Sequence, residues 1–92
     1  MAYYVYILQS EVDQSYYKGY TEKPFIRLQQ HNDAEMVYTS RKIPWRLVGL
    51  LIFETKRDAL IAEKKMKKYG RERMEAFILS PRNQLDSWQR SG

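Results

Sequence analysis

Two aromatic runs separated by a short polar stretch open the chain, and this spacing constrains the fold more than any other feature. Tyr3 to Leu8 is aromatic and β-branched, the composition of a strand. Gln9 to Ser15 is polar, with Asp13-Gln14-Ser15 as turn material. Tyr16 to Thr21 supplies a second strand, so the two are expected to pair as an antiparallel hairpin. Gly19 inside it signals a bulge or a close backbone approach. Alternation puts Tyr4, Tyr6 and Leu8 on one face, and Tyr3, Val5 and Ile7 on the other. With the turn centred near Val12, Tyr6 falls opposite Tyr17, and two phenols share one patch of sheet.

Pro24 suits the first turn of a helix that runs to about Asn32, with Thr21 or Glu22 near its cap and Phe25 and Leu28 facing inward. Asp33 to Pro44 is an irregular basic connection containing Tyr38-Thr39-Ser40-Arg41-Lys42. Trp45 to Phe53 is apolar and fits a third, largely buried strand. Thr55-Lys56-Arg57-Asp58 resembles a capping box with Asp in place of Glu. It opens a helix to about Tyr69, which Gly70 ends. Arg71 to Leu79 is a further short helix, with Met74, Phe77 and Ile78 on one side, and Pro81 stops it. The order is β-β-α-β-α-α, an α/β fold with a three-stranded antiparallel sheet flanked by helices. Residues 1–80 form the domain. Residues 81–92 form a polar C-terminal tail in which Leu85 and Trp88 are the candidates to dock back.

A chain of 92 residues has room for one core. Hydrophobic residues at 43% and charged ones at 29% describe a globular chain, neither disordered nor membranous. Its longest apolar stretches, such as Leu47 to Phe53, fall far short of the roughly 18 residues that span a bilayer. No charged n-region followed by an h-region opens the sequence, so a signal peptide is not expected and the expected address is cytoplasmic. The absence of cysteine excludes disulfides, thiolate zinc and cysteine nucleophiles. One histidine excludes a multi-histidine metal site within the chain. Sixteen Lys and Arg against 11 Asp and Glu leave +5, which attracts polyanions, nucleic acid foremost. A cationic surface serving solubility is the alternative.

Several residues have the right chemistry for a phosphodiester. Tyr6 and Tyr17 would meet on the sheet, although aromatic cross-strand pairs also serve as ordinary sheet packing. Arg27 and His31, at i and i+4, project from one side of the first helix. A guanidinium beside an imidazole suits a phosphate that gains charge at the transition state. A solvated helix face with a histidine near its C-terminus is the alternative. Ala59, Ala62, Met66 and Tyr69 form the inner stripe of the following helix, and Glu63 lies about 40° from Ala59 at its edge. Its carboxylate needs a partner there: a lysine or arginine, or a hard divalent ion such as Mg²⁺. Lys64, Lys65, Lys67 and Lys68, with Arg71 and Arg73, form either a phosphate-tracking face or a wet helix surface. Arg41 and Lys42 beside Trp45 make a second candidate contact zone, since an aromatic next to basic residues can stack on a base.

Together these residues resemble the GIY-YIG endonuclease domain. Tyr4-Val5-Tyr6 stands where that family has Gly-Ile-Tyr, and Tyr17-Lys18-Gly19 where it has Tyr-Ile-Gly. Arg27, His31 and Glu63 fall at the positions of its helix arginine, histidine and metal-binding glutamate. The resemblance spans about Tyr3 to Leu79. It is closest to the small stand-alone bacterial members, through Tyr16-Tyr17-Lys18-Gly19-Tyr20-Thr21, Arg27-Leu28, His31-Asn32 and Pro44-Trp45-Arg46-Leu47-Val48. Tyr4 replaces the first motif's Gly and Lys18 the second motif's Ile, changes expected to alter shape more than chemistry. For the asparagine that follows the glutamate helix in many members, Asn83 is the nearest candidate, in a different local context after Pro81.

The resemblance implies DNA hydrolysis with one divalent ion, Mg²⁺ or Mn²⁺, in a repair or recombination setting. Tyr6 would help deprotonate the attacking water and Tyr17 orient the water or phosphate. Arg27 and His31 would neutralise developing charge, and Glu63 would hold the metal. Lys18, Arg41, Lys42, Lys64 and Lys67 are the candidate DNA contacts. A phenol with pKa near 10 must fall to roughly 8 to act as a tyrosinate base, a shift of about 2.7 kcal/mol. A cation at about 4 Å supplies on the order of 4 kcal/mol before desolvation. Larger members gain specificity from attached recognition domains, which are not evident here, so a DNA structure or a protein partner is expected to provide it. No membrane partner is expected. A nucleic-acid-binding module with little or no cleavage, or a protein-interaction adaptor using the basic helices, are the competing expectations.

Overall fold

A computed structural model describes residues 1–91 of the chain. Three strands, β1 (Tyr3–Ser10), β2 (Tyr16–Thr21) and β3 (Trp45–Phe53), form an antiparallel sheet in the order β2-β1-β3. The helices are α1 (Pro24–Asn32), α2 (Lys56–Met66), α3 (Arg71–Leu79) and α4 (Leu85–Ser91), with a short 3₁₀ helix at Val37–Lys42. The α/β architecture and the antiparallel sheet are those the sequence indicates; the 3₁₀ helix and α4 are additional.

The central strand explains the layering. Every residue of β1 from Val5 to Leu8 is buried, so both faces need cover. Val5 and Ile7 pack on Ala59 and Met66 of α2 and Met74 and Phe77 of α3. Tyr6 and Leu8 point the opposite way, where Trp45 and Leu50 join Leu28 of α1 and Leu85 and Trp88 of α4. Burial of each large apolar side chain contributes about 1.5–3 kcal/mol, enough for two thin cores to hold one sheet.

The hairpin register differs from the expected one. Tyr6 faces Gly19, and Tyr17 faces Leu8. Gln14 adopts a left-handed backbone (φ 64°), and Ser10 N–H bonds to Ser15 O at 2.9 Å, which closes a loop centred after Val12. Asp13 Oδ1 accepts from Ser15 N at 3.0 Å and tightens that turn. Moving the loop centre by half a residue slides the pairing by one position; moving it by a whole residue slides it by two, and the second case applies here.

Two helix details also differ. The inner stripe of α1 is Pro24, Leu28 and His31, at i, i+4 and i+7, so Phe25 is displaced outward to 58% exposure. Its ring rests on Trp88 of α4, with centroids 4.8 Å apart. The helix α2 ends at Met66 rather than Tyr69, because Lys68 and Tyr69 bond back only three residues, to Lys65 and Met66. Its start matches the sequence: Thr55 Oγ1 accepts from Asp58 N at 3.1 Å.

Residues 83 and 84 tie the C-terminal segment to the sheet. Asn83 Oδ1 accepts from Leu50 N at 3.1 Å, and Gln84 Oε1 from Ile52 N at 2.9 Å. Asn83 Nδ2 donates to Val48 O at 3.0 Å, and Gln84 N to Leu50 O at 2.8 Å. Side-chain amides therefore occupy the outer edge of β3, which would otherwise present unpaired backbone groups. Leu85 and Trp88 dock as expected, now from a helix.

Candidate active site

Tyr6 leaves the central strand toward α1, and its ring passes over Gly19 on the neighbouring strand. A Cβ at Gly19 would lie 2.6 Å from the Tyr6 ring Cζ, so the crossing requires glycine there. The close approach expected at Gly19 is thus to a side chain. His31, innermost on α1 and fully buried, places Nε2 2.9 Å from the Tyr6 hydroxyl. Its other nitrogen, Nδ1, lies 2.8 Å from Thr39 Oγ1 in the 3₁₀ helix. Tyr17, half-buried on β2, packs against both rings, 6.2 Å from Tyr6 and 4.8 Å from His31 between centroids. The two phenols share a face although they are not directly opposed, because residues diagonal across a strand pair still reach one another.

Arg27 sits one turn before His31, half-buried, and has no carboxylate partner among the described residues. With Thr21, Glu22, Lys23 and Ile26 it borders a hollow of about 350 Å³ between the end of β2 and α1. Tyr6 and His31 lie beneath the surface instead of on that wall, with Tyr6 only 2% exposed.

This burial reverses the electrostatics expected for Tyr6. Loss of water pushes its phenol well above the usual tyrosine range; the adjoining Tyr17 phenol adds to this, Arg27 opposes it, and the Glu63 carboxylate pushes it further up. One half-buried guanidinium does not outweigh the lost hydration of a phenolate. Burial first and Arg27 second hold His31 below its ordinary value of 6.5. At neutral pH the pair is a neutral phenol bonded to a neutral imidazole.

Glu63 is 19% exposed and faces Lys67 one turn along at a loose 3.5 Å. Among the described residues no three His, Cys, Asp or Glu side chains cluster as a metal cage. The donor set available to an ion is one hard carboxylate, since both His31 nitrogens are engaged. That set fits Mg²⁺ or Mn²⁺, which bind through one or two carboxylates plus waters and substrate oxygens.

The basic candidates do not form one face. Lys18 donates to Tyr69 O at 2.9 Å, and partial burial lowers its pKa. Lys42 is bound to Asp13 at 3.0 Å and Ser15 at 3.2 Å. Arg41 and Lys64 are exposed on different elements, and Lys67 is the partner of Glu63. Trp45 cannot stack on a base: it is 4% exposed, and its indole Nε1 donates to Thr39 O at 2.9 Å. Asn83 has both ends of its amide committed to backbone groups of β3, Ile78 and Leu85.

Thr39 is the site residue that sequence reasoning passed over. It lies in a stretch whose basic neighbours drew attention, and nothing in its spacing announces a buried hydroxyl. Asn32 was visible only as part of a motif; its side chain bonds both Trp45 N, at 2.6 Å, and Trp45 O, at 3.0 Å, pinning α1 to β3.

The family model that matches the chain is the GIY-YIG catalytic domain, over residues 2–75. A UPF0213 protein of Bacillus licheniformis is 37% identical over 89 residues, covering 96% of this chain and 91% of that one. A UPF0213 protein of Haloquadratum walsbyi is 38% identical over 74 residues, covering 79% and 82%. The solution NMR structure of a UPF0213 protein from Bacillus halodurans superposes with a TM-score of 0.55 at 34% identity, covering 85% of this chain and 83% of that one.

Proposed function

Because the chain belongs to the GIY-YIG family, we propose that it is an endonuclease that hydrolyses DNA phosphodiester bonds with one divalent ion, Mg²⁺ or Mn²⁺. The observation that carries this reading is the 2.9 Å contact between the Tyr6 hydroxyl and His31 Nε2, beside Tyr17 and one helical turn from Arg27, which has no carboxylate partner among the described residues.

Arg27, on the wall of the hollow, receives the phosphate, and Tyr17 orients it or the attacking water. The water loses a proton to the Tyr6 oxygen as the phenol's own proton passes to His31 Nε2. Tyr6 is thereby never required to rest as a tyrosinate. The new hydroxide attacks phosphorus, and the departing oxygen leaves as the alkoxide or takes back a proton. Glu63 would hold the metal ion, which when bound stabilises charge on the departing oxygen. Arg41, Lys64 and Lys67 contribute long-range attraction for the strand, and Lys18 and Lys42 do so with the hydrogens their internal contacts leave free. A protein partner or the shape of the DNA supplies specificity.

A nucleic-acid-binding module with little cleavage is the second reading, favoured by the depth of Tyr6. At 2% exposure the Tyr6 side chain offers little surface to an attacking water. Labelled duplex, nicked, branched and single-stranded DNA, with RNA counterparts, separates the two when tested with and without Mg²⁺ or Mn²⁺. Metal-dependent cutting that Glu63→Ala abolishes is the expected result. Shifted bands without cutting establish the binder, and normal Mg²⁺-dependent cutting by Glu63→Ala removes the metal assignment. Binding without steep salt dependence, against a slope near −0.9 per phosphate on duplex DNA, would instead indicate a protein adaptor.

A further inference from the structure

We propose that Thr39 is a positioning residue that locks the His31 imidazole with its proton on Nδ1, so that Nε2 keeps a lone pair aimed at Tyr6.

The argument is the direction of a buried hydrogen-bond chain. Thr39 Oγ1 lies 2.8 Å from His31 Nδ1 and 3.4 Å from Met36 O. The one hydrogen bond of the buried Tyr6 hydroxyl among the described residues is to His31 Nε2, so the phenol hydrogen goes to that nitrogen. The neutral ring then carries its proton on Nδ1 and donates it to the threonine oxygen, whose own hydrogen is left for Met36 O. Nε2 is consequently unprotonated, and the Tyr6 hydroxyl donates to it across 2.9 Å. The polarity of all three contacts follows from the buried phenol at one end and is accommodated by the carbonyl at the other.

The threonine is itself fixed. It is 1% exposed, its amide donates to Met36 O at 3.2 Å, and its carbonyl receives the Trp45 indole at 2.9 Å. In the reverse arrangement the hydroxyl would turn to Nδ1, and a proton on Nε2 would point at the Tyr6 oxygen. An imidazole protonated there cannot take the phenol's proton. For its catalytic consequence the inference rests on the proposed nuclease chemistry; the tautomer itself does not.

His31 is the one histidine in the chain, so its ring nitrogens are unambiguous in ¹⁵N NMR of the full-length protein. Wild type is expected to show a protonated Nδ1 and an unprotonated Nε2 at neutral pH. The opposite pattern overturns the proposal whether or not any variant folds and whether or not the protein cuts DNA. Thr39→Val, which keeps the shape and removes the hydroxyl, is expected to mix or invert that pattern. Its turnover at saturating DNA should fall about tenfold with KM unchanged, less than the roughly 10² that loss of an acid–base group costs. Thr39→Ser should restore both signatures. A Val variant with the wild-type ring pattern and turnover contradicts the proposal. Absence of cutting by wild type with the expected ring pattern would count against the nuclease reading alone.

Discussion

Gly19 lies directly across the sheet from Tyr6, and the volume its missing side chain leaves is filled by the Tyr6 ring. A methyl group there would meet three atoms of the phenol at 2.6–2.8 Å. The ring is buried and hydrogen-bonded, so it has little freedom to retreat. Gly19→Ala is expected to cost about 1–3 kcal/mol of folding stability through overpacking. It should also break the Tyr6–His31 contact, which urea unfolding and the His31 ring resonances would register. A variant as stable as wild type, with an unaltered histidine signal, would contradict this view of Gly19.

Acid should weaken the fold through His31. The unfolded chain takes up a proton near 6.5, whereas burial and Arg27 keep the folded imidazole neutral to lower pH. Between those two points the unfolded state binds more protons, so stability falls as pH drops below about 6.5 and is fully present above it. One proton gives a slope of up to about 1.4 kcal/mol per pH unit. Tyr6, Tyr17, Thr39 and Arg27 surround the ring, and no carboxylate hydrogen-bonds or pairs with it among the described residues. Asp13, held low chiefly by its hydrogen bonds to Ser15, acts only below its ordinary 3.8. Urea denaturation at pH 7, 6 and 5 checks the slope, which His31→Asn should flatten.

Tyr6→Phe removes one hydroxyl and leaves the ring over Gly19. Turnover should fall by about 10²–10⁴ while DNA affinity stays near wild type. His31 Nε2 loses its donor, so stability should also drop by about 1–3 kcal/mol. Cutting within twofold of wild type would take Tyr6 out of the proton path.

Asn83→Ala distinguishes an architectural asparagine from a reacting one. The substitution frees Leu50 N and Val48 O at the sheet margin, for an expected loss of about 1–3 kcal/mol. Cleavage per folded molecule should not change. A large fall in turnover with normal stability would instead assign Asn83 the role of the asparagine found in other family members.

What could be read in advance depended on whether local chemistry decided the outcome. Trp45–Phe53 and Thr55–Asp58 were legible because an apolar run after a proline, and a threonine three residues before an aspartate, need no distant partner. The hairpin register was not, because it turned on a left-handed Gln14, a conformation usually marked by glycine or asparagine. Tyr6, Tyr17 and His31 do converge, and Arg27 borders the hollow beside them, as their order along the chain suggested. Their depth was invisible: i and i+4 spacing put Arg27 and His31 on one side of α1, but only the packing of Pro24 and Leu28 turned the imidazole fully inward. Trp45 beside Arg41 and Lys42 suggested a stacking platform, and a backbone carbonyl elsewhere in the chain claimed its indole. The helix α4 escaped notice because two apolar residues in seven carry too weak a period.

The amides of Asn83 and Gln84 give the sheet a finished border on one side. An extended peptide, whether from a neighbouring copy or from a binding protein, cannot annex β3 without first evicting them. Lateral recruitment by strand addition is therefore confined to the opposite flank, along β2, next to the residues proposed to meet the scissile phosphate.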